Sequence, residues 1–203
     1  MADYQSSETY RWFTLLLEEY LKANPVAKPI YLDIGFRMAL PGKTSIRKPD
    51  LSLILHSNPI GIHRDDSTYK GIFDLCIEFL SDSKQSEIDR DTVIKKAEYR
   101  QAGVREYFIL DRKGYETAFY RLTGKRKYSH IPKSGGIIRS EVLPGFQFRI
   151  KDLYSRPDLR ERINNKVYKS FILLDCQRAE AERERAAKLA AKLLSLGIEP
   201  ESV

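Results

Sequence analysis

Cysteine is scarce in this chain: only Cys76 and Cys176 among 203 residues. They lie far apart and have no Cys or His neighbours at metal-ligand spacing. That excludes a disulfide framework and a zinc site and leaves buried thiols as the reading. Long apolar runs are missing as well. No stretch approaches the roughly 20 residues needed to cross a bilayer, and residues 1–12 lack a basic region followed by an apolar one. The expectation is a soluble, cytoplasmic protein with no membrane partner. Histidine occurs three times, as His56, His63 and His130, again without ligand spacing, so none is assigned a catalytic role. The Lys133-Ser134-Gly135-Gly136 stretch lacks the full spacing of a phosphate-binding P-loop and reads as a loop.

What remains is a chain able to bury a core, with 42% hydrophobic and 11% aromatic residues. Its length suits one domain plus an appendage. The formal net charge is +7, and it is not spread evenly. Residues 84–133 carry 13 basic and 7 acidic side chains, net +6, whereas residues 175–203 carry 5 basic and 6 acidic, net −1. A central basic excess is either a solvated face or a track for phosphates.

Residues 6–23 place Tyr10, Phe13, Leu16, Leu17, Tyr20 and Leu21 at helical spacing, with Asn24-Pro25 as the stop. Strand character follows over 29–40, 50–55 and 73–80, with a polar loop over 56–70. Residues 87–102 read as a helix ending at Gly103, and 106–111 as the next strand. Two further runs, 116–122 and 126–131, flank Thr123-Gly124-Lys125 as a hairpin, and 147–150 adds a short strand. Residues 158–174 and 176–196 read as helices, the second ended by Gly197. The resulting order predicts an α/β fold in two parts: a main domain over 1–155 and a helical extension over 156–203.

An antiparallel register in which Leu55 faces Phe73 sets Asp50 opposite Glu78. Opposed residues share a sheet face with Cβ atoms about 5 Å apart. Two carboxylates so placed repel unless one is protonated or a cation lies between them, and hard oxygen donors suit magnesium or manganese. Glu78 interrupts an apolar run, Phe73 to Leu80, where a lone buried charge costs several kcal/mol. The helix after this strand is able to return Lys95 over the same sheet edge, beside a bound metal.

These residues resemble a known family. Lys48-Pro49-Asp50, then residues 74–81 around Glu78, then Asp91-x-x-x-Lys95-x-x-x-Tyr99, then Ala102-Gly103-Val104-Arg105-Glu106-Tyr107 are similar, in order, to the putative restriction endonuclease family of largely uncharacterised bacterial proteins in the PD-(D/E)XK nuclease superfamily. The resemblance runs from the first helix to Ile150. It implies a restriction-endonuclease-like α/β fold: a mixed central sheet flanked by helices, with a β-hairpin extension and a C-terminal helical tail. It also implies a metal-dependent endonuclease in which Asp50 and Glu78 ligate Mg2+ or Mn2+, the Phe79 main-chain carbonyl is a third ligand, and Lys95 is the catalytic lysine. The superfamily's plain pattern has lysine two residues after the acid. Here that position is Leu80, and Lys96 rivals Lys95. A first-helix acid often assists, for which Glu8 and Glu19 are the candidates.

Plainer readings stand beside these. Asp50 opens a strand after proline, Asp74 shares the parity of Glu78 but lies about 13 Å along the strand, and Lys95 pairs with Asp91 on an exposed helix face. Ser81 turns the chain and Tyr99 packs the helix on the sheet. Tyr107, Tyr115, Tyr120 and Tyr128 also read as sheet packing. The expected partners are DNA and a second copy of the chain in a homodimer, with the tail mediating self-association. The rivals are a non-cleaving nucleic-acid-binding or assembly module and a scaffold built on the tail.

Overall fold

The computed structural model describes residues 4–32, 34–80, 84–163 and 165–195. Helix α1 (Tyr4–Ala23) buries Phe13, Leu16, Leu17, Tyr20 and Leu21, the stripe its periodicity predicts. It leads into β1 (Ala27–Tyr31), β2 (Gly35–Leu40), β3 (Lys43–Arg47), β4 (Leu51–Leu55), β5 (Thr68–Tyr69) and β6 (Leu75–Phe79). A helical rod comes next, made of α2 (Gln85–Asp89), a π-helical turn (Arg90–Lys95) and α3 (Lys96–Ala102). Right-handed helical dihedrals at Arg90 and Lys96 carry the rod through both junctions. It stops where Gly103 turns left-handed at φ 98°, a conformation open to glycine at no steric cost. Then come β7 (Glu106–Leu110), β8 (Ala118–Leu122), β9 (Tyr128–His130), β10 (Ile137–Arg139) and β11 (Gln147–Arg149), and the helices α4 (Asp152–Ser155), α5 (Leu159–Ile163) and α6 (Lys169–Ser195).

The main sheet has the order β1-β4-β6-β7-β8-β9. It is mixed: β6 and β7 run parallel, joined by the α2–α3 crossover, and the other neighbours are antiparallel. Side chains alternate across it. Leu51, Leu53, Leu75, Ile77, Phe108 and Phe119 share one core with α1, with Phe146 and Phe148, and with Val167, Tyr168, Phe171 and Ile172 from beyond residue 155. Ile54, Cys76, Tyr107, Ile109 and Tyr120 join the opposite core, closed by Tyr99 of α3 and by Phe36, Met38 and Tyr69 of a second sheet, β3-β2-β5. A mixed central sheet with helices on both faces is the α/β architecture expected.

Several local expectations fail. The run 29–40 is two strands in different sheets: β1 pairs with β4, and β2 pairs with β3 and β5. Strand β3 (Lys43–Arg47) has no apolar signature to announce it, because its polar residues are held by Glu98 of α3. Strand β10 is likewise unexpected; it pairs with β11 over Ile137–Arg139. The expected helix over 158–174 is interrupted, since α5 ends at Ile163 and α6 starts at Lys169 and runs unbroken through Cys176 to Ser195. Tyr107, Tyr120 and Tyr128 stack along the sheet with centroids about 6 Å apart, but Tyr115 is 86% exposed and stands outside that stack. Cys76 is buried as expected; the Cys176 side chain, the Ser81 turn and the Gly197 stop lie outside the described residues.

Candidate active site

Strands β4 and β6 pair with Leu51 opposite Ile77, Ser52 opposite Cys76 and Leu53 opposite Leu75. Extended by one residue, that register sets Asp50 against Glu78, as the sequence argument requires. Asp50 lies at the open end of β4, after the buried Pro49, and its Oδ2 accepts a hydrogen bond of 2.7 Å from the main-chain N–H of Phe79. The half-buried carboxyl and Phe79 open into a cleft of about 210 Å³ whose other walls are Ser6, Ser7, Tyr10 and Leu32. Glu78 sits one residue deeper and is 1% exposed.

The helical rod supplies the rest. Lys95 Nζ lies 2.8 Å from Glu78 Oε2 and 2.8 Å from Asp91 Oδ1. Tyr99 donates its hydroxyl to Glu78 Oε1 at 2.8 Å. Arg90 reaches the Asp91 carboxylate with Nε at 3.1 Å and Nη2 at 3.3 Å, and Tyr107 donates to the Asp91 carbonyl at 2.8 Å. Asp91 and Lys95 both belong to the π-helical turn. A π turn inserts a residue into the helix and rotates the turns C-terminal to it, a device that recurs at functional sites. Here the turn keeps Asp91 and Lys95 in contact while both face the sheet.

Charge explains the protonation behaviour. Burial pushes the Glu78 carboxyl up to about 8; Lys95 opposes this, and Asp50 and Asp91 add to it. Burial also raises Asp50, against the pull of the Phe79 N–H and Lys95. Burial alone would lower the Lys95 ammonium, but Glu78 and Asp91 beside it hold it above the usual lysine value. Three carboxyl groups share two cations, so the cluster favours one more positive charge. Asp50 and Phe79 line a partly open cleft with Glu78 buried behind them; the two carboxyls and the Phe79 carbonyl are all-oxygen donors, and Mg2+ is held by one or two carboxylates with water completing its shell. The residues present therefore fit such an ion, although no group of three His, Cys, Asp or Glu side chains among the described residues is arranged to chelate one.

The arrangement separates the two candidate lysines. Lys96 engages the Tyr120 ring instead of Glu78, its ammonium 4.0 Å from the ring centroid. Leu80, at the position where the superfamily's plain pattern has lysine, is 1% exposed within the core. The first-helix acids are not gathered in: Glu19 clasps Arg162 of α5, with Nη2 to Oε1 at 3.0 Å and Nη1 to Oε2, and Glu8 enters none of the described contacts of the cluster. Asp74 is structural, accepting from the Leu55 N–H and from Asn58 Nδ2.

Sequence reasoning undervalues two members. Asp91 reads there as an exposed partner of Lys95, but it is 2% exposed, and Tyr99 holds Glu78 as well as packing on the sheet. Their signal is the Asp91, Lys95, Tyr99 spacing of four and four, which lines one helix face.

The approach to Asp50 is braced from α3. Glu98, 3% exposed, accepts from Lys43 Nζ at 2.6 Å, Ser45 Oγ at 3.0 Å and Arg47 Nε at 2.6 Å. Burial works against its charge, but Arg47, Lys43 and Ser45 prevail and hold the carboxyl down at about 2. This brace fixes β3, whose last residue lies three positions before Asp50.

The chain matches, over residues 4–151, the family model Uma2, described as a putative restriction endonuclease. No curated protein matches it. A crystal structure from Anabaena variabilis, described as a putative nuclease belonging to DUF820, is similar at 16% identity, covering 77% of this chain and 83% of that one with a TM-score of 0.58. At that identity the likeness concerns the fold.

Proposed function

The chain belongs to the Uma2 family of putative restriction endonucleases, and we propose that it is a magnesium-dependent endonuclease hydrolysing DNA phosphodiester bonds. The observation that carries this reading is the convergence of Glu78 and Lys95 at 2.8 Å, beside Asp50 on the neighbouring strand. Mg2+, or Mn2+ in its place, would be held by Asp50, Glu78 and the Phe79 carbonyl, and would supply charge to polarise a scissile phosphate and lower the pKa of an attacking water.

The protein's own residues do the remaining work. Lys95, kept protonated by Glu78 and Asp91, offers N–H donors where negative charge grows on the phosphate oxygens, in a setting where water screens little. Tyr99 fixes the Glu78 carboxylate so that it need not reorganise. Asp50, at the cleft mouth, is oriented by the Phe79 N–H. DNA is the substrate partner in this reading, and the homodimer and tail-mediated self-association remain part of the proposal. No helix among the described residues is long and apolar enough to cross a membrane.

The test is plasmid nicking by purified protein with Mg2+ or Mn2+, with and without EDTA. Cleavage that needs the metal and falls at least about a hundredfold in Asp50→Ala and Glu78→Ala supports the reading. Undiminished cutting by either variant overturns the site. Salt-sensitive, chelator-indifferent DNA binding with no cleavage overturns the activity and favours a non-cleaving binding module.

A further inference from the structure

On the side of the rod away from Glu78 lies a larger groove, about 600 Å³, lined by Thr92, Val93, Lys96, Ala97, Arg100, Lys127 and Tyr128. Its walls are the outer face of the Lys95 helix and the β8–β9 hairpin. We propose that this groove seats the sugar-phosphate backbone of a nucleic-acid strand, a second point of attachment for the molecule engaged at the Asp50–Glu78 cluster. The proposal rests on the nuclease reading for that last link.

Three observations point to a phosphodiester. The groove presents Lys96, Arg100 and Lys127 and no acid. None of the three pairs with a carboxylate among the described residues, whereas Lys43, Arg47, Lys95, Arg121 and Arg162 all do. Cations without acidic partners gathered at one concavity are the footprint of a polyanion, and they draw on the central basic excess of the sequence.

Two of the cations and the Tyr128 ring are also held in place. Lys96 sits over the Tyr120 ring, Arg100 Nη1 donates to the Arg126 carbonyl at 3.1 Å, and Tyr128 donates to the Val104 carbonyl at 2.9 Å. Lys96 and Arg100 are one helical turn apart, about 6 Å along the axis. Between them Val93, Ala97 and Tyr128 give an apolar floor for sugars and bases. Thr92, Val93 and Lys96 of the groove neighbour Asp91 and Lys95 of the cluster in the same helical rod, so groove and cluster share one element.

The experiment is a salt titration of binding by the full chain, in EDTA, to a fluorescent oligonucleotide offered as single-stranded DNA, duplex DNA and RNA of one sequence. Each phosphate that is no longer neutralised lowers the slope of log affinity against log salt by about 0.7 for single strands and about 0.9 for duplex. The triple variant Lys96→Gln, Arg100→Gln, Lys127→Gln is therefore expected to lower the slope by about 2 to 3 and to weaken binding at least about tenfold at moderate salt. The control triple Lys22→Gln, Lys28→Gln, Lys169→Gln, on exposed lysines outside the groove, should leave both unchanged. Should the groove triple not fold, Lys127→Gln alone should lower the slope by the amount of a single phosphate. The arm that the wild type binds most tightly at moderate salt, and that the groove triple weakens most, identifies the nucleic acid.

The groove is refuted if the wild type binds none of the three, if the groove variants match the wild type, or if the control is weakened as much. A protein that binds through the groove and never cuts sinks the nuclease reading and keeps the groove. One that cuts while its binding ignores the triple does the reverse.

Discussion

Glu98→Gln removes one charge from the brace that holds β3 against α3. The folded Glu98 carboxyl titrates at about 2 against an ordinary value of 4.5. At about 1.4 kcal/mol per pH unit, the gap corresponds to roughly 3 kcal/mol of stability linked to the ionised form. Lys43 is 56% exposed along its side chain, so part of its share is screened, and about 2 kcal/mol is the better expectation. For a chain of this size that lowers the melting temperature by roughly 4 to 8 °C at pH 7. The sign follows from the depressed folded value: the contribution is complete above about 4.5 and is lost as pH falls toward about 2. Thermal melts of wild type and variant across that range should therefore converge on acidification. Because other carboxyl groups titrate in both proteins, the difference between them is the readout. A melting difference that is absent at pH 7, or constant down to the acid limit, refutes the assignment. Cleavage should fall with the brace, since Arg47 lies three residues before Asp50.

Lys95→Met should cut the rate of phosphodiester hydrolysis at least about a hundredfold at saturating substrate, while Lys96→Met should leave that rate within about tenfold and raise KM instead; nicking kinetics separate the two. Tyr99→Phe should cost about 1 to 3 kcal/mol, because the buried Glu78 carboxyl loses a donor it cannot replace from solvent, and chemical denaturation measures this. Millimolar Mg2+ should raise the melting temperature of the wild type by binding the folded pair Asp50 and Glu78 and not the unfolded chain, and Asp50→Asn should abolish the shift, as read by a melt in Mg2+ against one in EDTA.

The fold and the site differ in how legible they were. Strand character over 50–55 and 73–80 was enough to mark both strands, but their register was only supposed from the sequence: both strands are buried on both faces, and it is the pairing of Leu51 with Ile77 in the fold that sets Asp50 opposite Glu78. The apolar stripe of α1 and the Gly103 stop were equally local. Four ordered motifs were enough for the family. Other features had no local signal. Strand β3 exists because Glu98, 51 to 55 residues away, binds Lys43, Ser45 and Arg47. The split between β1 and β2 depends on which sheet each half joins. That Asp91 is buried rather than exposed follows from a π turn whose extra residue no propensity encodes. The choice of Lys95 over Lys96 was likewise left to tertiary structure, for neighbouring residues point about 100° apart around a helix and only the packing of the rod on the sheet decides which one meets Glu78.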